Sequence, residues 1–226
     1  MLRVGLTGGL GSGKSTAARL FVEHGAHLLS SDEIGRELMQ PGQPVYSAIL
    51  QHFGPRYRRP DGQLDRPALA HAAFAEGRVE ELNAIVHPAV IAEQQRRAEE
   101  LAAREPHAVL LVESALLLET RHAGPGGLRG RFDRIVLVTA PDESKIARFL
   151  ARSAAGRSLT PEQRDALTAE AHRRLDQQMP DEQKASLCDY VLHNDGSLAE
   201  LEWQIDQLWP LLQQQAAAVP SARPNA

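Results

Sequence analysis

Lysine is scarce in this chain, and so are cysteine, aromatic residues and long apolar runs. Of 25 basic residues only three are lysines, and the single cysteine is Cys188. One cysteine excludes an internal disulfide and a cysteine-based zinc cluster, and it is typical of a reducing compartment. No apolar run approaches the ~20 residues of a membrane helix. We therefore expect a cytoplasmic protein with no membrane partner.

Charge excludes another class of partner. The net charge is −4 and the isoelectric point about 6.1, so no overall positive field attracts nucleic acid. An anionic ligand would need a local site. Aromatic residues make up 4% of the 226 residues, so the core must be built from aliphatic side chains. This length suits one domain with insertions or two small domains, and we expect a monomer or a weak homo-oligomer.

Five short apolar runs rich in valine, leucine and isoleucine alternate with helical patterns. They cover residues 3–7, 26–30, 108–113, 134–139 and 189–193. Runs of this kind are typical of strands buried in a parallel sheet. The sequence therefore predicts an α/β fold with a five-stranded parallel sheet flanked by helices.

Two stretches interrupt this alternation. Residues 33–106 are too long for one crossover and hold several helical patterns, including those at 78–88 and 89–105, so we predict a helical insertion. Residues 152–180 hold an arginine-rich loop and a helix that Thr160 and Gln163 open with a capping box, which predicts a mobile lid. The nucleotide-binding core would then comprise residues 1–32, 107–151 and 181–215, with a flexible tail at 216–226.

The last helix is predicted to begin with a second capping box, formed by Ser197 and Glu200. Pro210 is expected to kink or end this helix. Trp203 and Trp209 are expected to face the core rather than to form a stacking platform.

A glycine-rich segment follows the first strand. Gly8, four further residues and then Gly13, Lys14 and Ser15 match the phosphate-loop pattern, in its strand-to-helix context. Glycines let backbone N–H groups turn toward an anion, and the next helix points its positive end at the same phosphates. Lysine would reach the β- and γ-phosphates as a movable point charge, and the serine hydroxyl would bind Mg²⁺. The expected ATP-binding residues of this segment are Gly8, Gly11, Ser12, Gly13, Lys14, Ser15 and Thr16.

Several classes of enzyme use this loop. A GTPase would carry an Asn-Lys-x-Asp element, which neither remaining lysine fits. A transport ATPase needs an acidic metal ligand after a strand; Glu113 could serve, so this feature does not discriminate. The insertion and the lid favour a kinase, because phosphoryl transfer needs an acceptor pocket and the exclusion of water. A nucleoside monophosphate kinase and a nucleotide-binding regulator without turnover are the alternatives.

Asp32 stands at the carboxyl end of the second predicted strand, the edge where open α/β sheets bind ligands. Its carboxylate could act as general base toward an acceptor hydroxyl. Aspartate is also a favoured cap for a helix, here one starting at Glu33. Residue chemistry alone leaves both roles open.

The chain resembles the dephospho-CoA kinases over nearly its whole length. The resemblance is carried by "GLTGGLGSGKST", "SSDEIGRELMQPG", "IVHPAVI", "RRLDQQMP" and "DYVLHNDGSLAEL", in that order and spacing. It implies ATP- and Mg²⁺-dependent transfer of the γ-phosphoryl group to the ribose 3′-hydroxyl of dephospho-CoA. It also implies that the insertion binds this acceptor and that Asp32 is the general base.

Further roles follow from the resemblance. His87 would lie near the acceptor, the alternative being a half-buried histidine at a helix break. Asn194 would face the adenine, the alternative being an ordinary turn residue. After the third strand the family has Asp-x-Pro-Leu-Leu-x-Glu where this chain reads "ESALLLE", so Glu113 keeps the charge and Ala115 replaces the proline. Glu113 would bind metal or acceptor.

Basic residues cluster around the predicted lid. Arg148, Arg152 and Arg157 stand where a lid would close over the transferring group, with Arg152 the leading candidate. Arg174 and Gln178 lie on the returning helix and are candidate substrate contacts. The alternative for each arginine is a solvated surface charge.

Overall fold

The computed structural model describes residues 1–119 and 126–219, and a sheet of five parallel strands forms its framework. The strands are β1 (Leu2–Thr7), β2 (His27–Ser30), β3 (Val109–Glu113), β4 (Arg134–Thr139) and β5 (Tyr190–His193). Their order across the sheet is β2-β3-β1-β4-β5. All five coincide with predicted runs, so the predicted fold class is confirmed.

The central strand β1 is buried along its whole length, between β3 and β4. Leu2 pairs with Val109 and Val4 with Arg134, both in parallel register. Because parallel strands end at one edge of a sheet, the residues that follow β1, β3, β4 and β5 are collected at the carboxyl edge. This edge carries the phosphate loop.

Ten α-helices and one short 3₁₀ turn occupy the described residues. The helices are α1 (Lys14–Glu23), α2 (Ser31–Leu38), α3 (Pro44–Phe53), α4 (Arg66–Phe74), α5 (Val79–Arg104), α6 (Gly127–Arg131), α7 (Asp142–Ala154), α8 (Pro161–Asp176), α9 (Asp181–Leu187) and α10 (Leu198–Ala218), and the turn is Pro55–Tyr57. None of the helices in the described parts of the chain combines the length and apolar character that a membrane crossing requires.

The chain divides into two compact units. The first comprises Met1–Leu28 and Leu101–Ala226, and its core includes Phe21, Leu201 and Ile205 packed against one face of the sheet. The second comprises Leu29–Glu100 and has a core of its own, which includes Ile49, Phe53, Tyr57 and Leu69. The insertion predicted at residues 33–106 therefore overlaps a unit that packs on itself.

Helix α5 differs from the prediction. The two patterns expected to form separate helices are one helix of 26 residues, with Pro88 in its interior. A proline removes one backbone hydrogen bond and costs ~3 kcal/mol within a helix. Ile85 and Val86 before the proline and Ala89 after it pack on the same core of the second unit. Burial on both sides of Pro88 favours the continuous helix.

Helix α10 confirms part of its prediction. The Ser197–Glu200 capping box is present and Trp209 is buried, but Pro210 does not end the helix, which continues through Ala218. The expectation that Trp203 faces the core is wrong, since its exposed fraction is 63%. Trp203 comes two residues after the buried Leu201, and two residues turn a helix by ~200°. It therefore lies on the opposite face.

The first residues of the predicted tail, 216–226, belong to helix α10, which ends at Ala218. Ala216 is buried and its carbonyl lies 3.4 Å from Nδ1 of His107. Residues 220–226 lie outside the described part of the chain.

Candidate active site

The phosphate loop connects β1 to α1 at the carboxyl edge of the sheet. Gly13 is the N-cap of α1, with φ +97°, and no side chain caps the helix. A Cβ atom on Gly13 would collide with the Asn194 amide, and one on Gly11, whose φ is +67°, with the backbone carbonyl of Lys145. Glycine is therefore required at both positions, by backbone conformation and by lack of space. The N–H groups at the start of α1 are directed toward a ligand site.

Lys14 is the first residue of α1, and its side chain folds back over the loop. Its Nζ donates to the carbonyl oxygens of Gly8 at 2.8 Å and Gly9 at 3.2 Å. The ammonium group thus lies among the loop carbonyls. Contact between Lys14 and phosphate stays a prediction.

Ser15 and Glu113 meet at the ends of α1 and β3. The Ser15 hydroxyl donates to Oε1 of Glu113 at 3.0 Å, across 98 positions of sequence. Hydroxyl and carboxylate oxygens are the ligand types that Mg²⁺ takes, and Mg²⁺ completes its shell with water and substrate phosphates. The pair therefore fits a magnesium ion that is only partly coordinated by protein. In the described ranges, no three His, Cys, Asp or Glu side chains come together to hold a metal without such help.

Asn194 and Arg148 form hydrogen bonds that stabilise the phosphate loop. The Asn194 amide donates to the Ser12 carbonyl at 2.8 Å, and the Arg148 guanidinium donates to the Asn194 carbonyl at 2.8 Å. Arg148 also approaches the carbonyls of Gly11 and Ser12 at 3.5 Å. These contacts fix the loop before any nucleotide binds. Contact between Asn194 and adenine stays a prediction.

Most of the arginines predicted to form or border a lid lie on the helices α7 and α8. Arg152 lies in the last turn of α7, and the Thr160–Gln163 capping box that opens α8 is confirmed. Arg174 donates to Glu170 at 2.6 Å and stacks over Phe149, with 5.6 Å between guanidinium carbon and ring centre. An acceptor or phosphate contact for Arg152 and Arg174 stays a prediction.

Gln178 contacts the phosphate loop itself. Its Oε1 accepts a hydrogen bond from the Leu10 backbone N–H at 3.0 Å, although the two residues are 168 positions apart. The sequence placed Gln178 among the substrate contacts, and that role stays a prediction. Its contact with the loop was not predicted.

The cap of α2 is not Asp32. Ser30 is the N-cap, and its hydroxyl accepts from the Glu33 N–H at 3.4 Å, while Asp32 is the second residue of the helix. The alternative that Asp32 caps this helix is therefore wrong. The Asp32 side chain is exposed, and its role as general base stays a prediction.

Within the second unit, α5 holds the start of α2. The Gln94 amide, which is buried, donates to the Ser31 hydroxyl at 2.8 Å, and Arg97 bonds Glu37. His87 is half-buried in the middle of α5. Its predicted position near the acceptor stays a prediction.

The two other lysines were not predicted as site residues, yet both are buried, and Lys145 lies against Gly9 and Gly11 of the loop. The Lys145 ammonium pairs with Asp181 at 2.7 Å and Asp142 at 3.0 Å, and Asp181 also accepts from the Thr139 hydroxyl. Burial by itself would lower the pKa of Lys145, but its two carboxylate partners outweigh burial and raise it. Lys184 pairs with Glu119 at 3.1 Å. The scarcity of lysine was the signal that could have found them.

Comparison with known proteins agrees with this geometry. A profile of the dephospho-CoA kinase family matches residues 2–200. A dephospho-CoA kinase of Moorella thermoacetica is 37% identical over 222 residues, covering 97% of this chain and 96% of the relative. A dephospho-CoA kinase of Streptomyces avermitilis is 39% identical over 210 residues, covering 92% and 93%.

A solved structure agrees in fold as well. The crystal structure of the protein TT1252 from Thermus thermophilus superposes with a TM-score of 0.69, at 32% identity, covering 93% of this chain and 97% of the other. Sequence and fold thus point the same way over nearly the full length of the chain. The chain belongs to the dephospho-CoA kinase family.

Proposed function

We propose that this protein transfers the γ-phosphoryl group of ATP to the 3′-hydroxyl of the ribose of dephospho-CoA. The observation that carries the proposal is the joining of Lys14, Ser15 and Glu113 at the carboxyl edge of the sheet, in a chain of this family. Such a site binds and neutralises a triphosphate. Membership of the dephospho-CoA kinase family indicates that the acceptor substrate is dephospho-CoA.

The phosphate loop binds the triphosphate in a backbone shape that is already set. Asn194 and Arg148 hold the Gly11 and Ser12 carbonyls, which leaves the N–H groups at the start of α1 for phosphate oxygens. Lys14 exchanges the carbonyls of Gly8 and Gly9 for β- and γ-phosphate oxygens. The exchange is inexpensive, because an ammonium on a flexible stem moves without rearranging the loop.

Ser15 and Glu113 are the residues that would hold Mg²⁺. When bound, the ion neutralises charge that develops on the transferring group and on the leaving diphosphate. Glu113 would accept hydrogen bonds from water in the ion's shell. In this proposal Glu113 binds the metal ion and not the acceptor substrate.

Asp32 is proposed as the residue that holds the 3′-hydroxyl and accepts its proton. Its position in the first turn of α2, where Ser30 already caps the helix, leaves the carboxylate available for this purpose. His87 and Arg174 are proposed to contact the acceptor, and Arg152 to approach the transferring phosphoryl group when the lid closes. Closure of the lid would exclude water and so limit hydrolysis of ATP.

The test is to incubate the protein with Mg-ATP and, separately, dephospho-CoA, AMP, CMP and nucleosides, and to identify products by mass. We expect phosphate on dephospho-CoA only, as a 3′-monoester, with Lys14→Ala as the inactive control. Phosphorylation of AMP or CMP instead would establish a nucleoside monophosphate kinase. Binding of ATP without any product would establish a regulator, and either result refutes the proposal.

A further inference from the structure

The hinge between α8 and α9 is attached to the phosphate loop by a side chain. Gln178 lies in this hinge, residues 177–180, and its Oε1 accepts from the Leu10 N–H at 3.0 Å. A Cβ atom on Gly9 would lie 3.2 Å from the same oxygen, so the amide sits close against the loop backbone. The returning end of the lid and the loop that binds phosphate are therefore in direct contact.

The next residue of the hinge is held from the other direction. The Met179 N–H donates to Oε1 of Glu119 at 3.0 Å, and the same oxygen lies 3.1 Å from Nζ of Lys184. The Lys184 side chain is 1% exposed, and among the described residues its Nζ has no hydrogen-bond partner of good geometry, so charge attraction keeps it at Glu119. Two consecutive hinge residues are thus fixed by two partners distant in sequence.

Packing does not fix the hinge by itself. Gln178, Met179 and Asp181 line a cavity of about 740 Å³, together with Lys145 and Thr139. A segment with open space beside it moves readily unless polar contacts restrain it. The bonds to Leu10 and Glu119, together with the Lys145–Asp181 pair, supply this restraint.

We propose that Glu119 and Lys184 are positioning residues for phosphoryl transfer, which act through Met179 to hold the lid hinge and Gln178 against the phosphate loop. The proposal rests on the proposed kinase activity. Neither residue touches substrate in this scheme. Their effect is to place the lid, and with it Arg152, so that the closed site has one geometry.

Two double variants separate the hydrogen-bond acceptor from the ion pair. Glu119→Gln with Lys184→Met removes both charges but keeps an amide oxygen for the Met179 N–H. Glu119→Met with Lys184→Met removes both charges and the acceptor. Replacing a buried ion pair with apolar side chains of similar size is often neutral for stability, so both variants should fold. Thermal melting verifies this, and kcat, KM for ATP and the ratio of ATP hydrolysed to phosphate transferred are then measured.

The expected result is a divergence between the two. The double variant with Glu119→Gln should keep at least about half of the wild-type kcat. In the double variant with Glu119→Met, kcat should fall about fivefold or more, while KM for ATP changes less than about twofold. The ratio of ATP hydrolysed to phosphate transferred should rise only in the double variant with Glu119→Met. Equal kinetics in two folded variants would overturn the proposal.

Amide hydrogen exchange provides a second readout, which needs no acceptor substrate and, for the wild-type protein, no variant. In the wild-type protein the Leu10 and Met179 N–H groups should exchange slowly, and those of the folded Glu119→Met variant at least about tenfold faster. Rapid exchange of the Met179 N–H in the wild type would refute the proposal that Glu119 holds the hinge. Slow exchange in a wild type that does not phosphorylate dephospho-CoA would refute the proposed function and leave the contact standing.

Discussion

Replacing Asp32 with asparagine separates a catalytic carboxylate from a structural one. The substitution keeps the size of the side chain and removes its charge. Because Ser30 caps α2, the helix keeps its cap in this variant. What changes is the ability of residue 32 to take a proton from an acceptor hydroxyl.

The two magnitudes are well separated. A negative charge in the first turn of a helix contributes ~0.3–1 kcal/mol, so the melting temperature should fall by less than ~4 °C. A general base contributes ~10²–10⁴-fold in rate, and a 100-fold loss of kcat corresponds to ~2.7 kcal/mol in the barrier. Stability should therefore hardly change while turnover falls by about two orders of magnitude or more.

The assay follows formation of ADP and of 3′-phosphorylated product, with ATP binding and thermal melting measured on the same preparation. Ser30→Ala is the matched control, because it removes the cap and keeps the carboxylate. It should cost ~1 kcal/mol of stability and leave kcat within a few-fold of wild type. Asp32→Asn turning over within about fivefold of wild type would refute the reasoning, and Glu113 would be the next candidate for the base.

Three further predictions concern the loop, the metal and acid stability. Lys14→Arg should lose nearly all activity in the kinase assay, since a planar fork does not fit the space beside the Gly8 carbonyl; near-normal turnover would contradict this. Glu113→Gln should raise the Mg²⁺ concentration needed for half-maximal rate by about tenfold or more in a titration, and an unchanged requirement would exclude a metal role. Hydrogen bonds from Arg96 and Arg97 lower the pKa of Glu93 to about 2, below its ordinary value, so its stabilising contribution is complete above pH ~4.5 and is lost as the pH falls toward 2. Between pH 5 and 3 the melting temperature should therefore fall less steeply with pH in Glu93→Gln than in the wild type. Equal slopes would refute the stabilising role of the Glu93 carboxylate.

The strands and the phosphate loop could be predicted because their signals are local. Each strand is a continuous apolar run, and the glycines of the loop stand within six residues of one another. The meeting of Ser15 with Glu113 also followed in outline, since the sequence made Ser15 a metal ligand and Glu113 a ligand of metal or acceptor. The fold class and the position of Lys14 therefore came from the sequence alone.

Features that depend on distant partners were missed. The cap of α2 was uncertain because Ser30 and Asp32 are both good capping residues, and only the start of the helix decides between them. Pro88 suggested a break because the core that outweighs it lies in other helices. The contacts of Gln178 and Glu119 join segments more than 50 positions apart, and no spacing rule announces such contacts.

The burial of two of the three lysines restricts the chemistry by which the protein can be labelled. Lys145 and Lys184 are enclosed in ion pairs, and the amino group of Met1 donates to the carbonyl of Pro106. Acylating reagents attack accessible neutral amines, so Lys14 is the side-chain amine most open to them. Covalent probes directed at lysine, which modify most proteins at many sites, should here report on occupancy of the phosphate loop, with ATP as the protecting agent.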